Sequence, residues 1–170
     1  LCAELRAAGQ GAHVIVADLA DAGSAAQIVA QAQVDAPPLG MLVNNASRFD
    51  YDTISDFDVS GWDRHLDVNL RAPALLTQAF AAALPDGLSG LIVNLLDVKL
   101  YALNPDYFSY TISKFGLLGL TELSARALAP RIRVAGIAPA VTMVSGPQSR
   151  DNFAAAHVHN PLARGVTVEE

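Results

Sequence analysis

The chain has 170 residues, enough for one domain with a sizeable core. A net charge of −6 without a Lys/Arg cluster argues against nucleic acid or an anionic membrane as partner. No apolar run approaches the roughly 20 residues that span a bilayer, and the single cysteine, Cys2, excludes an internal disulfide.

Cysteine usage of this kind suits a reducing compartment, and a cytoplasmic location is expected. Hydrophobic residues make up 52% and charged residues 16% of the chain, as in an α/β domain whose sheet is covered on both faces. No secretory signal is visible, and the first residue is Leu1 rather than a start methionine. A preceding segment, with any targeting information, is therefore expected to be missing.

In chain order, Leu1–Ala8 reads as a helix stopped by Gly9 and Gly11. His13–Ala17 is a short apolar strand, and Ala22–Gln33 is an Ala-rich helix ending before Pro37 and Pro38. Met41–Val43 is a second strand. Val59–Leu84 is a long helix, with Ser60 as its expected cap. Leu91–Leu96 is a third strand, Phe108–Leu128 a helix ending before Pro130, and Ile132–Ile137 a fourth strand. The strand runs lack polar alternation, as buried parallel strands do. Strand and helix alternate, which predicts βαβ units with right-handed crossovers and one domain over residues 1–170.

Each strand run hands over to polar or turn-forming residues: Asp18, then Asn44-Asn45-Ala46-Ser47, then Asp97, then Pro139. The C-terminal ends of parallel strands share one sheet edge, where ligands of open α/β sheets bind. Tyr110 and Lys114 stand four residues apart near the start of a helix, so their side chains share a face. A lysine ammonium there can lower the phenol pKa from about 10 and make Tyr110 a usable proton donor. Tyr-x-x-x-Lys is common by chance. Its position after a buried strand ending in Asp97, with Asn-Asn-Ala two elements earlier, separates it from that background. His157 and His159 lack a third ligand at suitable spacing, so no metal site is expected. Trp62 and His65, on the long helix, read as packing or surface residues.

Taken together, these motifs resemble the short-chain dehydrogenase/reductase family over nearly the whole chain. The resemblance assigns Asp18 and Leu19 to the adenine ring, and aligns Asn44-Asn45-Ala46 with the family's Asn-Asn-Ala-Gly, Ser47 replacing the glycine. It assigns Asn69 to a proton-relay water, Tyr110 and Lys114 to catalysis, and Lys114 also to the nicotinamide ribose. Pro139-Ala140 aligns with the Pro-Gly beside the nicotinamide; Thr142, just beyond, completes the implied cofactor-binding set of Asp18, Leu19, Asn45, Ala46, Ser47, Tyr110, Lys114, Pro139 and Thr142. In the family, the two long helices commonly pack against a second subunit, so a homo-oligomer is expected.

One departure narrows the resemblance. Most members carry a serine thirteen residues before the tyrosine, where this chain has Asp97. An ionised aspartate cannot donate a hydrogen bond to a ketone, but it suits a substrate with ring nitrogens and an amino group. Asp97 with Tyr-x-x-x-Lys, and Asn-Ala-Ser-x-Phe at Asn45–Phe49, resemble the pteridine reductase branch, in which the phenylalanine stacks on the pterin. The resemblance thus implies hydride transfer from NADPH to a pterin or dihydrofolate-like substrate. Asn69, Asp97, Tyr110 and Lys114 are the implied catalytic residues, and Phe49, Asp97 and Tyr110 the substrate-binding ones. NADH stays open. So do two other readings: a generic short-chain alcohol or ketone dehydrogenase, and a non-catalytic dinucleotide-binding module or inert fragment. Residues 152–160 are expected to cover the substrate.

No Gly-rich phosphate loop is present, since Gly9 and Gly11 follow a helix rather than a strand. The implied fold is a Rossmann-like doubly wound parallel sheet truncated at both ends. The first βαβ unit with its glycine loop and the last strand are missing, and His13–Ala17 is set apart from the other three strands. Unpaired edges and exposed apolar surface are expected, with poor folding and no dinucleotide binding by these residues alone.

Overall fold

Three of the four apolar runs form one sheet. The computed structural model describes residues 1–35, 38–140, 151 and 153. In it β1 (Met41–Asn44), β2 (Gly90–Leu95) and β3 (Ile132–Ile137) lie side by side in that order, all parallel. Val43 pairs with Val93, and Val93 with Ala135. Parallel neighbours need long crossovers, and helices supply them. Helices α1 (Cys2–Ala7) and α2 (Ser24–Asp35) precede β1. Helix α3 (Val59–Leu66), a π-helical turn at Asp67–Arg71 and α4 (Ala72–Ala83) join β1 to β2, and α5 (Phe108–Leu128) joins β2 to β3. This is a Rossmann-like α/β arrangement. The chain divides into two compact units, Leu1–Ile137 and Ala138–Glu170, and every element just named lies in the first.

The core sits between the sheet and the helices on one of its faces. Phe80 and Leu84, at the end of α4, pack with Ile92 and Ile132. Leu76, higher on α4, packs against Ala25 and Val29 of α2, with Leu42 of β1 packed against the same cluster. Asn94 shares the face of Ile92, because side chains alternate along a strand. Its Nδ2 donates to Thr121 Oγ1 of α5 (2.8 Å), while its Oδ1 accepts from Asn44 Nδ2 (2.8 Å). Helices α4 and α5 therefore cover the same face. At Gly116 a Cβ would come within 2.6 Å of Leu70 Cδ2, so a larger residue there would require the Leu70 side chain to move.

Three expectations need correction. His13–Ala17 is not a sheet strand. No strand among the described residues pairs with it, and Val16 is 93% exposed. An apolar run becomes a strand only when a neighbour takes its backbone groups, and β1–β3 form a contiguous set without it. Among the described residues the sheet is covered on one face rather than two, since Met41, Val43 and Ile137 remain half-exposed on the other. The long helix runs unbroken as expected, with the π-helical turn inserted within it, but its cap is Asp58 rather than Ser60. Asp58 is extended (φ −102°, ψ 154°) and its carboxylate accepts the Gly61 N–H at 2.8 Å. A carboxylate there satisfies an orphan donor and suits the positive end of the helix.

Ile92 is fully enclosed, so Ile92→Val should lower the stability of the full protein by about 1 kcal/mol, and Ile92→Ala by about 2–5 kcal/mol, in urea denaturation. The open sheet face and the unpaired run leave apolar side chains in water. The 170-residue chain by itself is thus expected to enhance anilinonaphthalene sulfonate fluorescence and to self-associate. A monodisperse monomer without dye enhancement would contradict this.

Candidate active site

Past the C-terminal end of β2 the chain reaches Asp97, which caps a single 3₁₀ turn, Val98–Leu100. Its two carboxylate oxygens have separate partners. Oδ1 accepts the Lys99 N–H at 2.8 Å and holds the turn, while Oδ2 accepts the Tyr110 O–H at 2.6 Å. Tyr110 lies in the first turn of α5 with its ring buried. One turn later Lys114, also buried, sends Nζ back to the carbonyl of Leu95 at 2.7 Å. Asp97, Tyr110 and Lys114 thus meet at the edge where the sequence places the chemistry.

The phenol's electrostatics run opposite to the sequence expectation. Burial pushes the Tyr110 pKa well above its ordinary value, and the Asp97 carboxylate, through its hydrogen bond and its charge, pushes it further. The lowering expected from Lys114 is not present. Its ammonium donates to Leu95 rather than to the phenol and stands 5.6 Å from the ring centroid. Burial depresses the Lys114 pKa, partly offset by Asp97. Tyr110 in this arrangement is a firmly protonated donor.

Asn69 lies in the π-helical turn and is buried. Its Oδ1 accepts from the Arg48 N–H (2.7 Å) and Ser47 Oγ (3.2 Å), and its Nδ2 donates to the Arg48 carbonyl (3.0 Å) and Ser113 Oγ (2.9 Å). The side chain is fully used in holding the segment after β1. Pro73, four residues on, has no N–H to offer the Asn69 carbonyl. Insertions of the π type recur at functional sites.

The segment after β1 carries the aromatic part of the site. Phe49 is half-exposed, stacks on Tyr107 (centroids 4.1 Å, 7°) and meets Tyr110 edge-on (4.6 Å, 76°). Tyr107 is the N-cap of α5, with a left-handed backbone (φ 55°, ψ 52°) and no capping side-chain bond of its own. The helix is capped from a distance. The Asp52 carbonyl accepts the Phe108 N–H (3.2 Å), and the Asp52 carboxylate accepts the Ser109 N–H (3.1 Å) and the Ser109 hydroxyl. Ser109 Oγ lies 2.7 Å from His65 Nδ1, and His65 Nε2 accepts the Asp50 N–H at 3.1 Å. Tyr107, Asp52, Ser109 and His65 had no legible signal, because their partners are 15 to 58 residues away. His65, read as a packing or surface residue, is buried at the centre of this network.

The other expected site residues divide. Ser47 joins the Asn69 network, and Asn45 and Ala46 are exposed just past β1. Asp18 bonds its own turn at the Ala20 N–H (2.9 Å), and Leu19 packs against the α2–α4 cluster. No hydrogen bond or ring contact described here links that pair to Tyr110. Pro139 belongs to the second unit. Thr142, His157 and His159 lie outside the described residues, as does nearly all of 152–160.

The short chain dehydrogenase family model matches residues 1–152, and the chain belongs to that family. Among relatives, it is 36% identical over 109 residues to dehydrogenase/reductase SDR family member 4 of Homo sapiens, covering 63% of this chain and 39% of that protein. It is 31% identical over 137 residues to the 3-oxoacyl-acyl-carrier-protein reductase FabG of Staphylococcus aureus, covering 80% and 56%. Among solved structures, FolM alternative dihydrofolate reductase 1 from Brucella canis, complexed with NADP, superposes with a TM-score of 0.92 at 40% identity. That match covers 98% of this chain and 66% of that one. The chain thus spans about half or less of the length of the two curated relatives.

Asp97→Asn removes the negative charge that the phenol faces. With ¹³Cζ-tyrosine labelling of the full protein, Tyr110 should stay un-ionised to about pH 11 and ionise at lower pH in the variant. Identical titrations would show that Asp97 does not govern the phenol.

Proposed function

We propose that the full protein is an NADPH-dependent reductase of a pterin or dihydrofolate-like substrate. The observation that carries this reading is the 2.6 Å hydrogen bond from the Tyr110 hydroxyl to Asp97, a carboxylate at the expected place of a serine. A ketone oxygen offers Asp97 no proton to accept, whereas a pterin edge presents N–H and amino donors. Asp97 keeps lone pairs for them beyond its bonds to Tyr110 and Lys99. Phe49, half-exposed and edge-on to Tyr110, offers a face for a flat ring. The 40% identity to FolM of Brucella canis supports the same substrate class.

The cofactor assignment follows the NADP complex of that neighbour and has support in this chain. Lys114 is buried with three ammonium donors, and its one hydrogen bond among the described residues is to Leu95. Ribose hydroxyls would satisfy the others, with Tyr110 beside them. NADPH, when bound, supplies the hydride to a ring carbon. Tyr110 gives its proton to the adjacent ring nitrogen, its O–H turning from Asp97 to the substrate, so a C=N bond is reduced by one hydride and one proton. Asp97 orients the ring, and Asn69 supports proton resupply through its main-chain carbonyl. Residues 1–170 would belong to one nucleotide-binding domain, in a cytoplasmic homo-oligomer. Among the described residues no helix is long and apolar enough to cross a membrane.

A generic short-chain alcohol or ketone dehydrogenase is the second reading, favoured by relatives such as the 3-oxoacyl-acyl-carrier-protein reductase of Staphylococcus aureus. The full protein with NADPH and dihydrobiopterin, dihydromonapterin or dihydrofolate tests the first. Tyr110→Phe should lower kcat by about 10²–10⁴-fold, and undiminished turnover would sink the mechanism. Asp97→Ser should abolish pterin reduction. If it instead raises ketone reduction in a protein inert toward pterins, the second reading holds.

A further inference from the structure

We propose that His65 is the positioning residue that holds the ring-stacking segment 48–52 over Tyr110, joining that segment to the first turn of α5 as a neutral imidazole. This rests on the reading of Phe49 and Tyr110 as the substrate's ring site. The hydrogen-bond chain has one consistent proton assignment. Ser109 has one hydroxyl proton, and both of its N–H and O–H donors go to the Asp52 carboxylate. His65 Nδ1 must then carry the proton and donate to Ser109 Oγ. That leaves Nε2 as the acceptor, and it receives the Asp50 N–H. Each ring nitrogen therefore holds a different piece: Nε2 the residue after Phe49, and Nδ1 the helix turn that carries Tyr110.

The imidazole does not touch the ring site's open face. It acts through Asp50, which follows Phe49, and through Ser109, which precedes Tyr110. Asp52 secures the other end of the segment to the same turn. The charged groups facing His65 are Asp50, Asp52 and Arg48 from the segment, and Arg64 from its own helix; α5 presents Ser109 and Tyr110. Burial outweighs the two carboxylates and keeps the imidazole pKa below its ordinary value of 6.5. The sign follows. The neutral form, and with it the hold on Asp50, is complete above about pH 6.5 and is lost as pH falls through the lowered value. A protonated ring would point two donors at two groups, one of which is itself a donor. The Asp50 bond would open and the stacking segment would loosen.

The test uses the full protein with NADPH and reads hydrogen exchange of the peptide spanning residues 48–52, corrected for intrinsic rates. His65→Leu should speed that exchange by about tenfold or more and raise the dihydropterin KM about tenfold, while kcat changes less than about twofold. His65→Gln, whose Oε1 can accept the Asp50 N–H without titrating, should restore both to within about threefold. Wild-type exchange should stay flat above about pH 6.5 and quicken as pH falls further below it, and His65→Gln should flatten that dependence. Unchanged exchange in His65→Leu, or an acid response that persists in His65→Gln, would overturn the proposal. If His65→Leu does not fold, the wild-type and His65→Gln pH series decide it. Exchange that behaves as expected in a protein that reduces no pterin would sink the pterin reading and leave the positioning role standing.

Discussion

The start of α5 poses the problem around which the site is arranged. A helix begins with N–H groups that have no partner within it, and the residue in the capping position, Tyr107, has a left-handed backbone and no side-chain bond to give. A non-glycine residue in that conformation costs on the order of 1–2 kcal/mol. The missing cap comes from Asp52, which accepts from the first turn with both its carbonyl and its carboxylate. One interaction therefore secures a helix terminus, closes the aromatic segment onto it and fixes the height of Tyr110.

At its other side the same turn meets the end of β2. Lys114 donates to the last carbonyl of that strand, and Tyr110 to the aspartate two residues beyond it. Burial explains why these groups are held so firmly. In a low-dielectric setting an unpaired donor is costly, so the ammonium takes a backbone carbonyl and the phenol a carboxylate. The outcome for the phenol follows first from its burial and then from the bonded Asp97 carboxylate, so Tyr110 keeps its proton more tightly than free tyrosine.

Asn69 illustrates how a residue at an expected place can do different work with its side chain. All four hydrogen-bonding capacities of its amide go to Ser47, Arg48 and Ser113. It therefore fixes the chain between β1 and Phe49, while His65 of α3 holds Asp50 and the first turn of α5 holds Asp52. A segment with almost no secondary structure is thus held at three points. Loops that position chemistry need such anchors, since they have no ladder of their own.

Much was legible in the sequence by itself, for reasons of short range. Three strand runs, the bounds of α5 and the shared face of Tyr110 and Lys114 follow from periodicity and helical spacing. The meeting of Asp97 with Tyr110 followed from parallel strands sharing one edge. Tertiary structure decided what depended on distant partners. His13–Ala17 has a strand's composition, but pairing makes a strand, and no described neighbour pairs with it. Ser60 and Asp58 are both good caps by type, and the turn geometry chose Asp58. The direction of the Tyr110 shift came from its burial and the Asp97 carboxylate, which helical spacing does not encode. His65 acquired its role only when Asp50 and Ser109, 15 and 44 residues away, came to its two nitrogens. The sequence by itself brought Asp97, Tyr110 and Lys114 to one sheet edge, and only the fold decided their protonation and what holds them in place.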